Sequence, residues 1–196
     1  MFKILVGFLV AIFSTAAMAG PLHDAARQGD VGTVHEIIAR GADPNEKAQN
    51  GETPLILAVL GGHEEVARAL IEGGADIHGR NAGGFTPLHA AAYAGDVAIA
   101  QLLIEHGADI NDARNKAGVT PLFPAIEEKH AAVAELLIGE GADLSWRERH
   151  GHTPVARAVF KDHGDMVRLL KAHGADCPPP EELGDFFHPR CLEMAN

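Results

Sequence analysis

The stretch that decides the fold is "GFTPLHAAAYAGDVAIAQLLIEHGADIN", Gly84 to Asn111. The Thr86 side chain can cap a helix by accepting a hydrogen bond from a first-turn backbone N–H, and Pro87 suits the first helical position, where a missing N–H goes unnoticed. A helix therefore starts at "TP". Small residues follow, then the break "AGD" at Ala94 to Asp96, then "VAIAQLLIEHG", whose apolar residues recur at helical period. Gly107 of "GAD" supplies the left-handed backbone that ends a helix. The stretch reads as helix, turn, helix, loop. Two side chains do not fit that pattern: Phe85 and Tyr93 are large and fall away from the small-residue face.

The same unit recurs along the chain. "GAD" stands at Gly41, Gly74, Gly107, Gly141 and Gly174, at intervals of 33, 33, 34 and 33 residues, and "TP" at Thr53, Thr86, Thr120 and Thr153 keeps step with it. Two motifs on one shared period mark a structural repeat.

Together "TPLH", the "GAD" ending and the 33-residue beat resemble the ankyrin repeat, and the resemblance runs from Gly20 to about Asp176. It implies an all-α repeat solenoid of five ankyrin repeats, each a helix-turn-helix plus a hairpin loop, covering about 20–50, 51–83, 84–117, 118–150 and 151–176. The segment 177–196 that follows reads as a C-terminal cap or a tail; as a capping segment its Phe186 and Phe187 are expected to cover the apolar face of the last unit.

Departures from the pattern carry their own expectations. The histidine after "TPL" survives as His89, with a counterpart in His23; Ile56, Phe123 and Ala156 take its place elsewhere, so the first turn is expected to be less rigid there. Pro124 falls within the first helix of the fourth unit and is expected to kink it. One extra residue between Asp109 and Gly118 predicts a bulged loop. The first unit has no hairpin before it, and Pro21 stands for the repeated proline.

The residues before Gly20 read differently. Lys3, the apolar run Ile4 to Phe13 and the small residues of Ala17-Met18-Ala19 have the pattern of a signal peptide at 1–19, and the apolar run falls well short of the roughly 20 residues a spanning helix needs. Export to the periplasm is the expected fate, with secretion as the alternative. The chain of 196 residues carries a formal charge of −11, and loss of Lys3 with the leader makes it more acidic. That charge argues against nucleic acid as a partner and leans towards a basic protein. Cys177 and Cys191 could close a disulfide in an oxidising compartment or remain two free thiols.

Catalytic motifs are missing. There is no H-E-x-x-H, no zinc-finger spacing, no G-x-S-x-G, no P-loop and no C-x-x-C. His150 and His152 read as hairpin residues, and Glu64 and Glu65, adjacent on one helix, diverge too far to flank a substrate. No enzyme activity, metal or cofactor is expected.

What remains is a binding surface. In the resembled family partners dock on the concave face, made by the first helices and the hairpin tips. The position before "TP" holds Glu52, Phe85, Val119 and His152, and the position near the end of the first helix holds Arg27, Leu60, Tyr93, Glu127 and Phe160. Trp146 and Arg147 fall in a hairpin beside Arg149 and His150. Phe85, Tyr93, Glu127, Trp146, Arg147 and Phe160 are therefore the expected partner-binding residues, since Tyr, Trp and Arg concentrate at binding hot spots. The expected function is a monomeric, non-catalytic scaffold that docks another protein and supports an exported enzyme. The alternatives are an inhibitor that neutralises a toxin and a passive stress-protective protein.

Overall fold

The computed structural model describes residues 20–194; the leader reading falls on 1–19, outside the described residues. Among the described residues there are eleven helices and no strand. Ten of them form five consecutive pairs: α1 (Pro21–Gln28) with α2 (Val31–Ala39), α3 (Pro54–Leu60) with α4 (Glu64–Glu72), α5 (Pro87–Ala94) with α6 (Val97–Glu105), α7 (Leu122–Glu127) with α8 (Ala131–Gly139), and α9 (Pro154–Phe160) with α10 (Gly164–Ala172). The last helix, α11, spans Pro180–Met194. None of these helices is long and apolar enough to cross a membrane.

Packing runs from neighbour to neighbour. The first helices form one row, α1 on α3 on α5 on α7 on α9, and the second helices form another, α2 through α10. Between the rows lies a continuous apolar core that includes Leu55, Leu70, Leu88, Ile99, Leu103 and Leu137, all at most 1% exposed. A short pair of helices cannot bury an apolar face alone, so each unit depends on the next.

The expected caps form. Thr53 accepts from the Ile56 N–H at 3.3 Å and Thr153 from that of Ala156 at 3.3 Å, while Asp30 and Asp96 do the same for α2 and α6. Units two and five thus keep their caps although Ile56 and Ala156 stand where the third unit has histidine.

The fourth unit departs from expectation in an instructive way. Pro124 does not kink the helix; α7 starts at Leu122, which puts Pro124 in its first turn, where no intrahelical N–H is needed. The consequence falls on Thr120. In the other "TP" units the threonine carbonyl accepts from the residue four ahead: Leu57, Ala90 and Arg157 bond Thr53, Thr86 and Thr153 at 3.1, 3.2 and 3.0 Å. Pro124 has no N–H to give. The Phe123 N–H donates to the Thr120 carbonyl at 3.0 Å instead of to the hydroxyl, and Thr120 Oγ1 is buried with no hydrogen-bond partner.

Histidines tie unit to unit. His63 and His130 donate from Nε2, and His163 from Nδ1, to the carbonyls of Arg27, Tyr93 and Ile126 in the preceding first helix, at 3.0, 3.0 and 2.9 Å. Asn45 and Asn111 bridge successive loops through Gly74 and Asp76, and through Gly141 and Asp143. The longer loop between Asp109 and Gly118 keeps its hairpin, because Asn115 holds the N–H groups of Ala117 and Val119 as Asn81 holds those of Gly83 and Phe85. Buried Asp112 sits in that loop and accepts from Arg80 and Arg114. Burial opposes its ionisation, but the two guanidiniums outweigh it and hold the carboxyl far below the usual range.

Cys177 and Cys191 are joined by a disulfide. It pins α11, which is broken at Gly184, against α9 and α10. Phe187 meets Phe160 edge-on, with ring centroids 4.8 Å apart. Of the two expected capping phenylalanines only Phe187 is half-buried; Phe186 stays 69% exposed.

Candidate functional site

The row of first helices leaves a groove over α3, α5 and α7. It encloses about 670 Å³, open solvent included, and brings Leu60, Phe85, Tyr93, Phe123, Pro124 and Glu127 to one surface. Each gets there for a local reason. Phe85 ends a hairpin whose N–H groups are fixed by Asn81, and its ring packs on a small cluster of Ala117, Val119 and Phe123. Tyr93 lies one residue from the end of α5, and its carbonyl is held by His130. Both rings remain half-exposed.

Below them His89 braces the groove floor. Its Nδ1 accepts from Thr86 Oγ1 at 2.8 Å, its Nε2 donates to the Val119 carbonyl at 3.0 Å, and its ring meets Phe85 edge-on at 5.5 Å. Burial lowers its pKa to about 4, so the ring is neutral at pH 7. One neutral imidazole thereby links the third unit to the hairpin of the fourth.

Charge in the groove is one-sided. Glu127 and Glu128 line it, and no Lys or Arg does. Glu127 points an oxygen to within 3.4 Å of Arg157 Nε, and Arg157, 5% exposed, also lies 3.7 Å from buried Glu148. Burial alone would raise Glu148, but hydrogen bonds from His150 and His152 and the charge of Arg157 bring it below its ordinary value. Glu128 is different: among the described residues it has no ion-pair partner, and after burial its charge is the next cause that pushes the Tyr93 phenol up.

Of the six residues expected at a partner surface, the groove gathers Phe85, Tyr93 and Glu127 and leaves out Trp146, Arg147 and Phe160. Trp146 donates from Nε1 to the Gly118 carbonyl at 2.8 Å, lying across the preceding hairpin. Arg147 grips Glu182 of α11 with both terminal nitrogens, at 2.7 and 3.0 Å. Phe160 is sandwiched edge-on between His152 and Phe187. These three hold hairpins and cap in place.

The sequence pattern does not point to Phe123, Pro124 or Glu128 as groove residues. Phe123 offered a signal, because it is a bulky apolar residue in the position that His89 occupies one unit earlier. Among the described residues no group of three or more His, Cys, Asp or Glu side chains is placed to hold a metal ion.

Stacked helical hairpins with an open groove along the first-helix row define a repeat solenoid. The chain belongs to the ankyrin-repeat family: the family model "Ankyrin repeats (3 copies)" matches residues 22–114 and again 111–179. Ankyrin repeats commonly mediate protein–protein interaction. No curated protein matches the chain.

Proposed function

We propose that this protein is a non-catalytic scaffold of the periplasm that docks another protein in the groove between α3 and α7. The observation that carries this reading is the pair Phe85 and Tyr93: two half-exposed aromatic rings on a backbone fixed by Asn81 and His130. A pre-set aromatic surface binds with little loss of rotamer freedom, which is where affinity is gained. The leader pattern of residues 1–19 and the Cys177–Cys191 bridge support export. Support of an exported enzyme is the role put forward; neutralisation of a toxin is the second reading, favoured by the acidic groove.

The test is affinity capture from periplasmic extract with the protein and its Phe85→Ala/Tyr93→Ala double variant. One stoichiometric partner, lost with the double variant, supports docking. A partner captured equally by both, or none under several growth stresses, contradicts it.

A further inference from the structure

We infer that the groove selects an extended, basic protein segment: an apolar side chain that enters between Phe85 and Tyr93, and a Lys or Arg close by that settles on Glu128. This rests on the docking reading above and adds the chemistry of the partner.

Charge accounting within the groove makes the choice. Two carboxylates line it and no cation does, while its histidine is neutral at pH 7. Arg157 already answers Glu127, from the side of the fifth unit. The cation nearest in sequence, Lys129, follows Glu128 with a left-handed backbone, and its charge is felt at Asp162 and His163 on the far side. Glu128 is left facing the groove beside the Tyr93 ring. A carboxylate next to an aromatic face suits a guanidinium or ammonium, which gains from both. An acidic segment would meet uncompensated like charge.

Geometry sets the spacing. Phe85 and Tyr93 belong to the third unit and Glu128 to the fourth, and packed helices lie about 8–10 Å apart. An extended chain covers about 3.3 Å per residue. Apolar residue and cation therefore stand about three residues apart or fewer. The floor between Leu60, Phe123 and Pro124 accepts the apolar side chain.

The experiment is selection of a phage-displayed random heptapeptide library on the protein with its disulfide intact, followed by titration of the selected peptides against Tyr93→Ala and Glu128→Gln variants of unchanged melting temperature. The expected peptides combine a large apolar residue with Lys or Arg within three positions. They lose binding with Tyr93→Ala, lose about fivefold to tenfold in affinity with Glu128→Gln, and weaken as salt is raised. Peptides that need Tyr93 but carry no cation, or bind Glu128→Gln equally well, overturn the inference and leave groove docking standing. Failure to select any peptide sensitive to Tyr93→Ala overturns both.

Discussion

His130 donates from Nε2 to the carbonyl of Tyr93 at 3.0 Å, and so one unit of the solenoid fixes the backbone that carries the Tyr93 ring in the unit before it. The imidazole can reach because the next residue but one after Tyr93 is Gly95, which has no side chain. A Cβ built there would lie 2.4 Å from His130 Nδ1.

Gly95→Ala therefore destabilises in two ways. Gly95 has φ 75°, a conformation that disfavours L side chains by about 1–2 kcal/mol, and the new methyl strikes the His130 ring. Gly107→Ala supplies the control, since Gly107 shares a positive φ of 90° but has nothing within 4 Å of its Cβ position. Thermal denaturation should show the larger loss at Gly95, and equal losses would remove the His130 contact from the explanation.

The orphaned hydroxyl of Thr120 gives the opposite kind of prediction. Thr120→Val deletes a buried oxygen that has no partner, so it should leave stability unchanged or raise it. Thr53→Val and Thr153→Val each remove a working cap and should lose about 1 kcal/mol. Urea midpoints for the three variants decide the matter; a loss at Thr120 equal to the other two would contradict the account of Pro124.

These two cases show how far the sequence was legible. The 33-residue beat of "TP" and "GAD" carries its meaning locally, because a cap and a left-handed glycine are satisfied within one turn, and the helix pairs followed from it. Trp146, Arg147 and Phe160 are expected at a partner surface, and nothing local in the sequence announces the contacts that they make with distant segments, although Trp146 keeps 36% of its surface exposed. Glu182 lies 35 residues from Arg147, and Phe187 reaches Phe160 only because a disulfide folds α11 back. Pro124 was misplaced for a related reason: the helix start moved to accommodate it, and the strain expected as a kink became a lost hydrogen bond.

Stability should fall as the solution is acidified from pH 6.5 towards 4. The buried His89 stays neutral down to about pH 4, whereas in the unfolded chain it takes up a proton near its ordinary value of 6.5. Between those values the unfolded state binds more protons, so acid favours it, by up to about 3 kcal/mol for this residue. His152 and His163, also lowered first by burial, add slope of the same sign. In His89→Gln the difference in unfolding free energy between pH 7 and pH 4.5 should shrink; an unchanged difference would show that His89 is not the group responsible.

Reduction of Cys177–Cys191 should loosen one end of the molecule. The bridge closes a loop with a sequence separation of 14, for which chain entropy gives about 3 kcal/mol. Because each unit leans only on its neighbours, hydrogen exchange should quicken in α9, α10 and α11 and stay unchanged in α1 and α2. Uniform acceleration along the chain would argue against neighbour-by-neighbour packing.

The central claim is that a partner protein lies across the groove and meets Tyr93. It is tested most directly by replacing Tyr93 with the photo-crosslinking residue p-benzoylphenylalanine in cells and irradiating them. The same substitution at Val97, an exposed position of the second-helix row, serves as the comparison. The account predicts one discrete crosslinked adduct from position 93 and none from position 97. No adduct from position 93, or the same adduct from both, would contradict it.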